Sequence, residues 1–331
     1  MAPSVLSLKG VSKSFPVRGQ QLGKAPRRLQ AVAPIDLDLE EGEILAVVGE
    51  SGCGKSTLGR IASFVTEPSA GTVTIQGVEP SSLPRREARL ARRNVQIVHQ
   101  DPYSALNPRK TVGQTLIDPF LAHRLASRGE ATRRARALLS LVGLHPPDEF
   151  LGRYPFELSG GQRQRVVIAR ALTVEPKVIV ADEAVSMVDV SLRQSILATL
   201  RDLRDRLGVG FLFITHDLAL AHSFAGEHRT LVMYAGHVME YGLSTDVIEK
   251  PQHPYTRLLH SALLDPDPEN NEQRDVAGFE GELPDLSEEV SGCPFASRCP
   301  FVQDVCRQER PALIPRGARQ AVACHFADQS A

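Results

Sequence analysis

The chain has 331 residues, 38 Lys and Arg against 39 Asp and Glu, a formal net charge of -1, and 42% hydrophobic residues. This is the mix of a folded protein with one large domain and an appendage, and it lacks the overall positive field that draws a protein to nucleic acid. No run of roughly 18 apolar residues is present to span a bilayer, and five cysteines without a signal-like leader do not make a disulfide framework.

A cytoplasmic protein without a nucleic-acid partner is therefore expected, with any membrane passage supplied by other chains. Short β-like and helix-like runs alternate, which predicts an α/β fold around a mainly parallel sheet. Residues 5–11 and 35–39 alternate polar and apolar side chains and read as strands with one wet face. Residues 44–48 are apolar throughout, as in a strand covered on both faces.

The loop GESGCGKST follows at 49–57 and fits G-x-x-x-x-G-K-S/T between that strand and a helix-capable segment at 58–64. Gly49, Gly52 and Gly54 let the backbone wrap closely around phosphates, with Ser51, Cys53 and Thr57 in the same cradle. The helix N-terminus adds attraction for an anion. Lys55 is expected to neutralise the β- and γ-phosphates of ATP, and Ser56 to ligate Mg2+. Cys53 is given no chemistry of its own.

Residues 72–76 form a further strand candidate, and Arg85, Arg86, Arg89, Arg92 and Arg93 read as a solvated helix face. From 111 to 152 the texture is helical, with Ala and Leu at helix spacing through 131–142 and an interruption at Pro146 and Pro147. A helix at 161–172, an apolar run at 178–181, a helix at 191–207 and a strand at 210–214 follow. Residues 231–234 and 237–240 read as a β-pair turning at Gly236.

The run 178–181 ends in Asp182 and Glu183, whose side chains point opposite ways on a strand and can take different tasks. Beside a phosphate loop, Asp182 is expected to hold Mg2+ and Glu183 to polarise the attacking water. Prolines and acidic residues at 265–272 mark a linker. Beyond it lie Cys293, Cys299, Cys306 and Cys324, spaced C-x5-C-x6-C-x17-C. They read either as thiolate ligands of a metal centre or as small buried apolar residues. Without tight C-x2-C pairs, zinc ranks below an iron–sulfur cluster.

Leu158, Ser159, Gly160, Gly161 and Gln162 set a serine and two glycines at a fresh helix start, a second anion site in physical terms. The segment resembles the ABC signature LSGGQ, and other landmarks of that family follow in order. Gln100 in VHQDP matches the Q-loop, residues 186–189 ending in Asp189 match the D-loop, and His216 matches the switch histidine. Met187 and Val188 depart from the usual Ala-Leu, and Ala184 from a common proline, without removing a catalytic group.

The resemblance covers roughly residues 5–260. It implies an ABC-type P-loop domain with a RecA-like core, an antiparallel β-subdomain and a helical subdomain. It places the cassette at 1–264, with its helical part at about 105–172. It further implies that Gln100 contacts Mg2+ and that His216 contacts the γ-phosphate. Phe15 stands where the family stacks an aromatic on adenine, with core packing as the alternative. Ser159, Gly160, Gly161 and Gln162 are implied to meet an ATP held by a second cassette.

A narrower likeness comes from QDPYSALNPR at 100–109, HPYTRLL at 253–259, and the CPF and RCP segments starting at 293 and 298. These resemble oligopeptide/dipeptide importer ATPases, with 265–331 as their linker and C-terminal extension. That resemblance implies a peripheral subunit at the cytoplasmic face of the cell membrane, powering import of peptides or similar solutes. Two permease subunits, an extracytoplasmic solute-binding protein and a second ATPase chain are the implied partners, a heterodimer ahead of a homodimer. It also leans toward a 4Fe–4S cluster on the four tail cysteines. An ABC ATPase of DNA repair or of translation is the competing class; the absence of long heptad runs and of a second P-loop speaks against both.

Overall fold

The computed structural model describes residues 4–17, 27–261, 291–317 and 319–327. β1 (Ser4–Pro16) and β2 (Arg28–Glu40) pair antiparallel, with Leu8 opposite Leu37 and Phe15 opposite Leu29. Both run well beyond their predicted lengths, because register shifts along the pair break the period-2 pattern that marks a strand in sequence. In β3 (Ile44–Val48), Ile44, Ala46 and Val48 enter one core while Leu45 and Val47 enter another. That two-sided burial leaves no place for polar alternation.

α1 (Lys55–Ala62) starts at the end of the glycine-rich loop, and β4 (Ala70–Ile75) joins the free edge of β1. The order β2-β1-β4 makes a three-stranded antiparallel sheet. On α2 (Arg85–Arg92) only Ala88 is buried, so its arginines form the solvated face expected of them.

After β5 (Val95–Val98) the chain enters a helical layer: α3 (Pro102–Ala105), α4 (Val112–Ala122), α5 (Arg128–Leu141), α6 (Pro147–Leu151) and α7 (Gly160–Leu172). Capping boxes at Thr111 with Gln114 and at Ser159 with Gln162 satisfy the first amides of α4 and α7. α5 buries the stripe Ala131, Ala135 and Leu139, spaced one helical turn apart.

β6 (Val178–Asp182), α8 (Val190–Leu207), β7 (Gly210–Thr215), α9 (Leu218–Ala225), β8 (Arg229–Tyr234) and β9 (His237–Leu243) complete the α/β core. Phe211 and Phe213 pack fully buried against Phe224, with centroids 5.7 and 4.7 Å away. Each such burial contributes roughly 1.5–3 kcal/mol. The main sheet has β10 (Ile314–Arg316) and β11 (Gln320–Val322) from the tail at one edge, in the order β10-β11-β9-β8-β3-β7-β6-β5, and β8, β3, β7, β6 and β5 are parallel.

α10 (Ser244–Glu249) and α11 (Pro254–Ser261) lead out of the sheet. The linker expected at 265–272 lies outside the described residues. The tail returns through α12 (Asp304–Gln308), β10 (Ile314–Arg316) and β11 (Gln320–Val322). β11 pairs antiparallel with β9, Ala321 opposite Tyr241, so the tail adds two strands to the main sheet. Gly242 permits this approach, since a Cβ there would meet the Arg319 carbonyl oxygen at 2.4 Å. Among the described residues no helix is long and apolar enough to cross a membrane.

Candidate nucleotide site

Parallel strands deliver their carboxyl ends to one edge of a sheet, and ligands of open α/β folds bind there. Here the register sets Val48 beside Thr215, Ile214 beside Asp182, and Ala181 beside Val98. The residues just past these ends are Gly49, His216, Glu183, and His99 with Gln100. One line across the sheet therefore gathers groups that are far apart in sequence.

The loop 49–57 is closely built. A Cβ on Gly49 would meet the Met233 carbonyl oxygen at 2.1 Å, and one on Gly54 the Ala31 carbonyl oxygen at 2.1 Å. Gly52 and Gly54 have φ values of 83° and 106°, which L side chains rarely adopt. Ser51 and Gly52 face outward, while Cys53 is buried beneath the loop and Thr57 half-buried. No side chain caps the N-terminus of α1, which leaves its first amides to an anion. Lys55 is 4% exposed, and its ammonium donates to the carbonyls of Gly49 at 2.7 Å and Glu50 at 2.8 Å.

The acidic pair completes the cluster. Ser56 Oγ donates to Asp182 Oδ1 at 2.9 Å, and Gln100 Nε2 donates to Glu183 Oε2 at 3.0 Å. His216 Nδ1 lies 3.3 Å from Glu183 Oε1. Burial holds the Asp182 carboxyl above its ordinary range, against the hydrogen bond from Ser56; a bound cation would reverse that shift. Glu183 has a φ of 48°, the left-handed region, which costs of order 1–3 kcal/mol for a residue with a side chain. The cluster thus combines a cationic loop, oxygen donors for a hard cation, and a carboxylate held between an amide and an imidazole.

Other expected residues lie elsewhere. Ser159 caps α7, accepting from the Gln162 amide at 3.3 Å while Gln162 Oε1 accepts from the Ser159 amide at 3.0 Å. Gly160 and Gly161 abut the 187–192 stretch, where a Cβ on Gly161 would meet Leu192 Cδ1 at 3.0 Å. Asp189 is exposed at the start of α8. Neither Ser159 nor Gln162 hydrogen-bonds to the loop 49–57 of its own chain. The guanidinium of Arg163 on α7 sits 4.0 Å over the Tyr103 ring, tying the Gln100 segment to the signature helix.

Phe15 is 39% exposed, with Lys13 Nζ 5.3 Å from its ring centre, so its ring is not part of a packed core. The paired strand β2 brings Ala31 against Gly54, and Phe15 pairs only two residues away, with Leu29.

Cys293, Cys299, Cys306 and Cys324 line one small cavity with Phe295 and Phe301, and all four are free thiols. Burial pushes the Cys293 thiol up to about 12 and the Cys299 thiol up to about 11, with the neighbouring thiols adding to both shifts. Among the described residues, no group of three or more His, Cys, Asp or Glu side chains is arranged to hold a single metal ion. Sequence reading missed Glu50, Tyr255 and Arg298 at the loop. Their partners are 205 and 248 residues apart, and no local pattern signals such a contact.

Residues 32–186 match the ABC transporter family, and residues 239–306 match the oligopeptide/dipeptide transporter C-terminal region. The chain is 42% identical over 325 residues to a probable peptide ABC transporter ATP-binding protein of Sinorhizobium fredii, covering 98% of this chain and 90% of that one. It is 40% identical to the di/tripeptide transport ATP-binding protein of Pseudomonas aeruginosa, covering 98% of both. Its fold matches a dimeric ATP-binding cassette solved in a post-hydrolysis state bound to ADP and Pi, with TM-score 0.62 and 29% identity, over 72% of this chain and 98% of that one. The chain belongs to the family of ABC transporter ATP-binding proteins that carry the oligopeptide/dipeptide transporter C-terminal region.

Proposed function

We propose that this ABC ATPase powers the import of peptides or similar solutes, bound to permease subunits at the cytoplasmic face of a membrane. The observation that carries this reading is the gathering of Ser56, Asp182, Glu183, Gln100 and His216 beside the loop at 49–57. The peptide-transport names of its relatives support the cargo class.

In this reading the loop amides and Lys55 take the β- and γ-phosphates, releasing Lys55 from the carbonyls it now holds. Phe15 stacks on the adenine. Ser56, Asp182 and Gln100 would hold Mg2+, which would neutralise charge on the phosphate oxygens. Glu183 accepts a proton from water as the water oxygen bonds to the γ-phosphorus. The bond to the β–γ bridging oxygen breaks, giving ADP and Pi. His216 keeps the Glu183 carboxylate oriented and reaches toward the γ-phosphate.

Exposed Ser159 with half-buried Gly160 and Gln162 at the start of α7, Gly161 packed behind them, and exposed Asp189 at the start of α8 support a site finished by a second cassette. A different ATPase chain is the partner favoured over a second copy. Two permeases and an extracytoplasmic binding protein complete the importer, and Tyr103 with the 100–109 segment is the part that meets the permeases. In that assembly, Glu183→Gln is expected to keep ATP binding and lower turnover by ~10²–10⁴-fold. The stalled variant should also associate on adding Mg-ATP, read as a doubled mass by light scattering. Wild-type turnover in the variant would remove Glu183 from this role.

The reading of the four tail cysteines as ligands of a 4Fe–4S cluster is supported by their lining one small cavity. The cluster's contribution would be structural or redox-sensing and not hydrolytic, because the tail lies outside the nucleotide motifs. Anaerobic purification is expected to give a brown protein with iron and sulfide in equal amounts. A colourless, iron-free protein with a folded tail would leave the cysteines as packing residues.

A further inference from the structure

Glu50, the second residue of the phosphate loop, is held at every polar group. Its amide donates to Tyr255 Oη at 2.8 Å, and its carbonyl accepts from Lys55 Nζ at 2.8 Å. Its carboxylate takes one guanidinium nitrogen of Arg298, Nη1, at 2.8 and 3.0 Å from its two oxygens. Arg298 comes from the C-terminal tail, 248 residues away. The pair is largely shielded, with side chains 14% and 29% exposed, so it is screened less than a surface pair.

The anchoring of Arg298 is equally specific. Backbone hydrogen bonds from Ala296 to Cys293 and from Arg298 to Phe295 coil the 293–298 segment into consecutive turns. These turns drive Phe295 into the core, where its ring lies 5.3 Å from both Tyr234 and Tyr255. All three rings are 0% exposed. The Arg298 guanidinium rests 5.8 Å from the Tyr234 ring centre and 5.9 Å from that of Phe295. Tyr255, in the same cluster, supplies the contact to the Glu50 amide. One aromatic core therefore presents two grips to one loop residue, Tyr255 from α11 and Arg298 from the tail.

A carboxylate beside a phosphate site repels the incoming anion unless it is paired. The same residue's carbonyl also fixes where the Lys55 ammonium waits. We propose that Arg298 is a positioning residue for nucleotide binding, and that through Glu50 the C-terminal tail and the ATP loop regulate each other. ATP then binds more tightly when the tail is seated, and by reciprocity bound ATP stiffens the tail. The inference rests on the reading of residues 49–57 as the ATP loop.

The test uses the full-length chain, with ATP affinity by titration and hydrogen exchange of residues 291–308 with and without ATP. Arg298→Ala is expected to weaken ATP binding about three- to tenfold, the range for one partly shielded charge pair. Arg298→Lys, which keeps the charge, should recover most of that loss. Arg298→Ala added to Glu50→Gln should cost no more than Arg298→Ala alone, because the two residues act as one pair.

In the wild type, ATP should slow exchange in the tail, and in Arg298→Ala it should not. A purely structural role would leave that exchange indifferent to ATP in both proteins. Lys55→Ala separates the two claims. If Lys55→Ala weakens ATP binding while Arg298→Ala binds ATP as the wild type does and tail exchange is indifferent to ATP, the tail inference fails and the ATP loop stands. If Lys55→Ala binds ATP normally, the reading of the loop itself fails.

Discussion

His253 shows how one residue can carry a pH dependence without touching the chemistry. It is 1% exposed at the start of α11, and its Nδ1 accepts the Tyr255 amide at 3.0 Å. Burial pushes its imidazole down to about 3. The folded state therefore needs the neutral ring, while the unfolded chain takes up a proton near the ordinary value of ~6.5. The stability this provides is fully present above about pH 6.5 and is lost as the pH falls toward 3. Glu240, whose carboxyl burial raises, acts in the opposite sense over part of that range. The clean measurement is thus a difference between proteins. Urea midpoints between pH 7 and pH 4.5 should fall more steeply in the wild type than in His253→Asn. Parallel slopes would show that His253 is not the group titrating.

At the level of elements, legibility followed the range of the interaction. β3 and the loop after it could be read in full, because burial on both faces and a phosphate cradle each leave a contiguous signature. α7 was legible for the same reason, since its capping box and its signature are the same residues. Family likeness implied that Gln100 and His216 serve the nucleotide, but their contacts with Glu183 came to light only through the register of β5, β6 and β7. β5 went unread because four residues are too few to show a period. β10 and β11, three residues each, exist only because β9 offers them an edge. A strand made by its neighbour leaves almost no mark in its own sequence. The grip of Tyr255 and Arg298 on Glu50 was illegible for the same reason at longer range.

For the whole molecule, the fold explains why hydrolysis can be turned into work. The loop at 49–57 and the signature at 159–162 belong to different layers, the sheet edge and the helical layer. α7 ties the second layer to the Gln100 segment through Arg163 on Tyr103 and through Arg170 on the Ala105 carbonyl. Nucleotide binding at the sheet edge can therefore shift the helical layer as a body, which is the kind of motion a permease could follow. The central claim is that ATP hydrolysis at Glu183 drives solute uptake. Its most direct test is uptake of a labelled peptide into vesicles carrying the permeases, this chain and its partner ATPase, with binding protein outside and ATP on the ATPase side. Uptake should require Mg-ATP and fall to background in Glu183→Gln, although that variant still binds ATP. Uptake at the wild-type rate in Glu183→Gln, or steady ATP consumption by the wild type with no peptide carried, would contradict the account.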